Sequence, residues 1–161
     1  MKWICLGITL FMSILSHADH TDPLKVRVNV KPSCRIKHYD RMHWPPLTGT
    51  FPTNIDNTSG SVTTHCTRGI YYTVGINNGE NYDVRAGTRR LADHHGHFVR
   101  YTIYSDSGFS IPWKNVGTPY ALPLLGTGLD QTSTLYARIP HGQHPVPAGN
   151  YQDSLIVTLH F

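Results

Sequence analysis

Two kinds of side chain in this sequence could carry chemistry: a cluster of histidines and a pair of cysteines. His94, His95 and His97 lie close together, and neutral imidazoles at such a spacing can bind zinc or copper. No second cluster of Cys, Asp or Glu at ligand spacing supports them, so a histidine-rich surface turn is the favoured interpretation. A secreted module that binds carbohydrate or metal nevertheless stays open as one hypothesis.

The sequence carries none of the common catalytic motifs. It contains no G-x-S-x-G, no H-E-x-x-H and no glycine loop of the kind that cradles phosphate. Ser, His and Asp are all present, but a catalytic triad is a matter of geometry that composition cannot supply. We therefore predict that the protein is not an enzyme and that it needs no cofactor.

The N-terminal residues predict export from the cytoplasm. Met1 and Lys2 give a short positive start, residues 3–15 are uncharged and mostly apolar, and Ser16-His17-Ala18 is a small-x-small cleavage site. The apolar stretch is shorter than the about 20 residues of a membrane-spanning helix. We expect residues 1–18 to be removed as a signal peptide. About 140 residues would remain, the size of one domain, with no membrane span.

Two cysteines, Cys34 and Cys66, would remain after Cys5 leaves with the signal peptide. In an exported chain two cysteines most simply form one disulfide, because the compartment is oxidising. A metal site is the competing use, and the lack of a C-x-x-C pair disfavours it. The bridge would close a loop of about 30 residues, which the chain-entropy model values at about 3–4 kcal/mol.

The charge pattern argues against a nucleic-acid partner. The chain has 14 Lys and Arg against 10 Asp and Glu, for a formal net charge of +4. The basic residues are scattered along the sequence, whereas a nucleic-acid surface usually clusters them. We interpret them as parts of a solvated surface.

Short β-rich runs separated by Gly, Pro, Asn and Asp predict an all-β sandwich in a single domain. The runs lie at residues 24–31, 34–39, 61–66, 70–77, 99–105, 133–139 and 150–161. We expect residues 42–60 to be mainly loop with at most one short edge strand, and residues 80–96 to be a long excursion. The pairing of residues 110–132 stays open.

The first and last of these runs alternate apolar and polar side chains, which is typical of a strand that buries one face. The apolar positions are Leu24, Val26, Val28 and Val30 in the first run and Leu155, Val157, Leu159 and Phe161 in the last. An immunoglobulin-like sandwich ends with a strand G after strand F. Here the sequence ends on what corresponds to strand F, and such an apolar edge is expected to need a partner. The first run could supply that partner or be an ordinary first strand of its own domain.

Several stretches of the sequence, in this order, resemble the spore coat protein U domain family, which includes the archaic (Csu-type) chaperone–usher pilins. They are V-N-V-K-P-S-C (28–34), H-C-T-R-G-I-Y-Y-T-V-G-I-N-N-G (65–79), R-R-L (89–91), V-R-Y-T-I-Y-S-D (99–106), L-Y-A-R-I-P-H-G-Q (135–143) and P-A-G-N-Y-Q-D-S-L-I-V-T-L-H-F (147–161). The terminal G-x-Y-x-D-x-x-x-V-x-[LIV]-x-[FY] pattern, taken together with the paired cysteines, is the most specific part of the likeness.

The resemblance implies an incomplete immunoglobulin-like β-sandwich that lacks its last strand and is completed by donor-strand complementation. It implies a donor segment at residues 19–33 and a pilin domain at residues 34–161. The matching positions are Leu24, Val26, Val28 and Val30 for the donor strand, Cys34 and Cys66 for the disulfide, and Leu155, Val157, Leu159 and Phe161 for the border of the acceptor groove.

The resemblance also implies partners and a location. A periplasmic chaperone would fill the groove first, and at the outer-membrane usher the next pilin would replace it, so that the subunits form a head-to-tail filament on the cell surface. Because the chain is rich in His, Pro and bulky aromatics such as Trp44 and Trp113, we expect a minor or adaptor subunit serving adhesion and biofilm formation. The alternative is a secreted spore or cell-surface coat protein that self-associates without an usher.

Overall fold

The computed structural model describes residues 20–161, so the expected signal peptide at residues 1–18 lies outside the described residues. Residues 31–161 form one compact body of eight strands. The strands are β1 (Cys34–Asp40), β2 (Ile55–Cys66), β3 (Tyr71–Ile76), β4 (Arg89–Ala92), β5 (Phe98–Tyr104), β6 (Leu122–Leu125), β7 (Asp130–Ile139) and β8 (Val157–His160). In the part of the chain that is described, no helix is long and apolar enough to cross a bilayer.

The strands form two antiparallel sheets. One has five strands in the order β1-β2-β7-β5-β4, and the other has three in the order β6-β3-β8. Both sheets contribute alternate side chains to a single core, as the period of two along a strand requires. The protein is therefore an all-β, immunoglobulin-like sandwich, as expected from the rhythm of the sequence.

The core is densest where β3 faces the five-stranded sheet. Val74 and Ile76 of β3 have no exposed surface, and Ala137 and Ile139 of β7 are equally enclosed. Trp113 lies among them without exposure, and its indole N–H donates to the carbonyl of Val74 at 2.8 Å. A buried indole needs such an acceptor, so this contact makes a bulky residue compatible with the core.

Three strands differ from the sequence expectation because long-range pairing outweighs local pattern. β2 starts at Ile55 rather than at residue 61, since its first half pairs with β7 from Ile55 opposite Ile139 onward. β4 lies inside the expected excursion at residues 80–96 and pairs with β5. β6 lies in the region whose pairing was left open, and it borders β3.

The expected terminal strand is shorter than its alternation suggests. β8 covers only Val157–His160, and residues 150–156 lie outside it. These preceding residues have other partners: Gln152 forms an isolated antiparallel bridge with Ala92, and Asp153 accepts hydrogen bonds from the loop after β3. The expectation of one strand across residues 150–161 was therefore wrong in its first half.

Candidate functional site

A groove lies between β1 and the end of the chain that leads into β8. β1 pairs with β2 and β8 pairs with β3, and within residues 20–161 neither strand has a partner along its other edge. The groove has a volume of about 840 Å³. It is lined by Ile36, Lys37, His38, Tyr39, Arg41, Leu155, Ile156 and Val157.

The β8 side of the groove presents apolar side chains that are only partly covered. Val157 and Leu159 lie opposite fully buried residues of β3, so they share the inward face of the sheet. Leu155, Val157 and Leu159 pack against the core, but none of them is fully buried. Phe161 is 56% exposed. Of the four residues predicted for this wall, Leu155 and Val157 line the groove directly, and Phe161 is at the surface.

The β1 side presents two further inward-facing residues. Ile36 lies opposite Thr64 and Tyr39 lies opposite Val62, and both of these partners are buried. Ile36 is nevertheless 37% exposed and Tyr39 is 60% exposed, because no strand covers them on the groove side. The sequence pattern does not predict that Ile36 and Tyr39 share a face, since a bulge between Ile36 and His38 breaks the alternation of the strand.

The carboxylate of Asp153 holds the chain in place just before the groove-lining residues. Its Oδ1 accepts the main-chain N–H groups of Glu80 at 2.9 Å and Asn81 at 3.3 Å, and its Oδ2 accepts the hydroxyl of Tyr101 at 2.7 Å. Burial, followed by the negative charge of Asp153, raises the pKa of Tyr101. Gly79 has φ of +81°, and a Cβ there would collide with Oδ2 of Asp153. Both the carboxylate and the glycine are thus needed in this turn.

A second set of hydrogen bonds fixes the same segment three residues further along, at Ile156. The N–H of Asn77 donates to the carbonyl of Ile156 at 3.0 Å, and the N–H of Ile156 donates to Oδ1 of Asn77 at 2.9 Å. The buried guanidinium of Arg89 donates to the carbonyls of Ile76, Asn77 and Trp113. The β8 wall is therefore anchored from the side away from the groove, which leaves its groove-facing side free.

A second cavity, of about 680 Å³, lies between residues 42–49 and residues 146–153. Its apolar lining includes Leu91, Val99 and Ile139. Trp44 also lines it and packs edge-on against Tyr101, with ring centroids 5.9 Å apart. The indole nitrogen of Trp44 is buried and has no hydrogen-bond partner among the described residues.

Comparison with known sequences identifies the family of this domain. The Spore Coat Protein U domain matches residues 20–158, which is most of the chain. The chain belongs to the Spore Coat Protein U domain family. A curated relative is Protein U of Myxococcus xanthus, which is 38% identical over 65 residues; the match covers 40% of this chain and 35% of that protein.

Two solved structures resemble this Spore Coat Protein U domain. One is a chain of the CsuC–CsuE chaperone–tip adhesion subunit pre-assembly complex from the archaic chaperone–usher Csu pili of Acinetobacter baumannii, with a TM-score of 0.53 and 22% identity. That likeness covers 82% of this chain and 40% of the other, and it supports the fold. The other is HdaB, the minor tip subunit of the Escherichia coli Hda pilus, with a TM-score of 0.42, 18% identity and coverage of 78% and 79%.

The N-terminal residues 20–30 of this family member form no regular secondary structure and are all exposed. Leu24, Val26, Val28 and Val30 are between 72% and 90% exposed. Four aliphatic side chains at alternate positions are thus presented to solvent. Such a segment has the pattern of a strand without the partner that would bury it.

The disulfide expected for the family is confirmed. Cys34 opens β1 and Cys66 closes β2, where they face each other across the ladder and are bonded. Cys66 has no exposed surface. The bridge therefore ties the groove wall formed by β1 to the strand behind it.

The histidine cluster has a local structural role in the described residues. Nδ1 of His97 lies 2.7 Å from Oδ2 of Asp93, and Oδ1 of Asp93 accepts the main-chain N–H groups of His95 and His97. Burial raises the pKa of the Asp93 carboxyl, but the hydrogen bonds from His97 and His95 outweigh it. The pKa of Asp93 is therefore lowered to about 2. Within residues 20–161 no group of three or more His, Cys, Asp or Glu side chains is arranged to hold a metal ion, and His94 is exposed beside this turn.

Proposed function

We propose that this chain is a structural subunit of an archaic chaperone–usher pilus and that it polymerises by donor-strand exchange. The observation that carries the proposal is the groove between β1 and β8, where inward-facing apolar side chains on both walls stay exposed. These are Ile36 and Tyr39 on one wall and Leu155 and Val157 on the other. The family membership and the fold shared with a Csu pilus structure support the same conclusion.

The groove would be filled by a strand from another molecule. An added strand can pair its main chain with the free edge of β8 and insert alternate side chains between the sheets, which is β-strand addition. For the groove of a neighbouring subunit, the exposed Leu24, Val26, Val28 and Val30 of this chain supply four such side chains at the right spacing. At about 1.5–3 kcal/mol each, they would contribute roughly 6–12 kcal/mol to a junction before ordering costs. The sandwich would then have its final strand.

Assembly by this route requires a succession of partners. In this proposal a periplasmic chaperone occupies the groove after export, and the outer-membrane usher exchanges it for the N-terminal segment of a neighbouring pilin. The contact is head-to-tail, so repeated exchange builds an open filament. We place the chain in that filament as a minor or adaptor subunit, in a pilus that serves surface adhesion and biofilm formation.

The donor role is tested with Val28→Asp, which places a carboxylate on the apolar face of the donor strand. Asn29→Asp is the matched control, because it adds the same charge one residue further on, at an outward position. We expect Val28→Asp to abolish filaments in electron micrographs while its chaperone complex still purifies, and Asn29→Asp to assemble normally. Normal filaments from Val28→Asp would refute the donor assignment.

The match to Protein U favours a second candidate, a secreted coat protein that self-associates without an usher. The two candidates differ in what they need. A pilin accumulates on the cell surface only when its chaperone and usher are present, whereas a coat protein assembles without them. Surface labelling of the chain in cells with and without a co-expressed chaperone–usher pair decides between them.

A further inference from the structure

The charged residues that line the groove all carry the same sign. They are Lys37 and Arg41, and no Asp or Glu is among the lining residues. The nearby Asp40 is engaged by His38, whose Nε2 lies 3.0 Å away, and by the hydroxyl of Ser61. The groove therefore presents an apolar interior beside a basic rim.

The neighbouring charges do not reverse this sign. The positive charges of Arg35 and Lys37 help to lower the pKa of Asp130 on β7. That carboxylate is already hydrogen-bonded to His65, with Oδ1 of Asp130 2.6 Å from Nδ1 of His65. On the other wall, the outward residues of the β8 segment are Ile156, Thr158 and His160, none of which is acidic. An incoming strand would thus meet no acidic side chain on the β8 wall, and on the β1 wall it would meet only Asp40, which His38 and Ser61 engage.

The donor segment of this same chain is also basic on its outward face. Lys25, Arg27 and Lys31 alternate with its apolar residues, and Asn29 is the neutral outward position. Its two acidic residues, Asp19 and Asp22, precede the alternating stretch, and Asp22 lies 3.1 Å from His20. A second copy of this segment in the groove would therefore bring basic residues beside basic residues, and like charges on adjacent strands destabilise their pairing.

We infer that this groove selects a donor strand from a different subunit, one with apolar residues at alternate positions and acidic residues between them, and that it disfavours a second copy of this chain. The inference rests on the proposed function, and it deepens it by naming the partner's chemistry. Repulsion of the wrong partner is a common source of specificity in interfaces. By the same argument, the basic donor segment of this chain suits a groove with an acidic rim. The chain would then occupy a single position in the filament and would not repeat along it.

The test uses the chaperone-bound subunit and synthetic donor peptides. One peptide has the natural sequence of residues 20–32, and a second carries Lys25→Glu, Arg27→Glu and Lys31→Glu. A third peptide carries Val28→Asp, which places a charge on the apolar face. It tests whether displacement requires that face to enter the groove. The rate at which each peptide displaces the chaperone is followed by native electrophoresis at about 0.01 M and about 1 M salt, where the Debye length is about 30 Å and about 3 Å.

We expect the charge-inverted peptide to displace the chaperone about tenfold faster than the natural peptide at low salt, with the difference vanishing at high salt. Equal rates at low salt, with the Val28→Asp peptide inactive, would overturn the charge selection and leave the proposed function intact. If no peptide displaces the chaperone at either salt concentration, the proposed function fails and this inference fails with it.

A variant of the groove provides the reciprocal test. Lys37→Glu combined with Arg41→Glu makes the rim acidic and should reverse the preference in favour of the natural peptide. If the folded double variant still prefers the charge-inverted peptide, Lys37 and Arg41 do not select the donor strand. If the variant does not fold, the salt dependence of the unmodified protein still decides the question, because screening acts on the charges without changing the chain.

Discussion

β3 and β8 are paired residue by residue in the same sheet, but they are buried to different extents. Val74 and Ile76 of β3 have no exposed surface, whereas Leu159 and Val157, which lie opposite them, are only partly buried. The difference arises because, among the described residues, β3 has a strand on each side and β8 has a strand on one side only. Apolar side chains can therefore satisfy the period of a strand and still lack half of their contacts. Within residues 20–161, the apolar side chains are fully covered at β3 and only partly covered at β8.

A large effect is expected from loss of the disulfide, which ties β1, the other groove wall, to β2. Cys34→Ser together with Cys66→Ser should lower the free energy of unfolding by about 3–4 kcal/mol, since the unfolded chain regains the entropy of a loop of about 30 residues. The change is measured by urea unfolding of the subunit freed from its chaperone and carrying a donor segment fused after Phe161. Reducing the unmodified protein should have the same effect, and full stability after reduction would contradict it.

The comparison between β3 and β8 is tested directly by truncation on each strand. Ile76→Ala should cost about 2–5 kcal/mol whether or not a donor strand is present, because its contacts are already complete. Leu159→Ala should cost a comparable amount with the donor strand fused in place, but only about 1 kcal/mol without it.

Urea unfolding gives the change in free energy of unfolding for Ile76→Ala and for Leu159→Ala, each with and without a donor segment fused after Phe161. An equal cost of Leu159→Ala in both forms would mean that the donor strand does not cover this residue, and the prediction that Leu159 belongs to the acceptor wall would be wrong. Thr158→Ala is the matched control on the opposite face of β8, and its cost should not depend on the donor.

A smaller effect is expected from the carboxylate that anchors the β8 wall from behind. Asp153→Ala removes the acceptor of the Tyr101 hydroxyl and of three main-chain N–H groups, which should cost about 1–3 kcal/mol. Asp153→Asn retains one carbonyl acceptor and should lose less. Hydrogen exchange should show faster exchange for residues 154–160 in the alanine variant. Unchanged protection there would indicate that the pairing with β3 alone holds the wall.

The smallest effect concerns the turn at Asp93, which serves as a reference region outside the groove lining. The pKa of the Asp93 carboxyl is lowered to about 2. The ionised carboxylate therefore stabilises the folded protein above about pH 4, and this stabilisation is lost as the pH falls toward 2. Asp93→Asn should remove this part of the acid dependence of unfolding while donor-peptide binding at pH 7 stays the same. A steeper loss of stability in acid for Asp93→Asn would contradict the assignment.

The sequence by itself determined the class of fold, the disulfide and the two alternating apolar runs. Alternation at Leu135, Ala137 and Ile139 is enough to indicate a strand that is buried on one face, since each side chain's direction follows from its position. Cys34 and Cys66 are the two cysteines that remain after the expected removal of residues 1–18, so a single bridge between them is the simplest prediction. These properties are local or depend on residue counts, and for that reason they can be inferred without coordinates.

Only the tertiary structure decided which residues form the groove and what holds it open. Ile36 and Tyr39 share a wall because a bulge shifts the register of β1, and Asp153 turns away from the apparent strand because the loop after β3 offers it N–H donors. Arg89 is buried because three carbonyls from distant segments converge on it. Each of these depends on contacts between residues far apart in the chain, whose energies exceed local preferences and leave no periodic signal in the sequence.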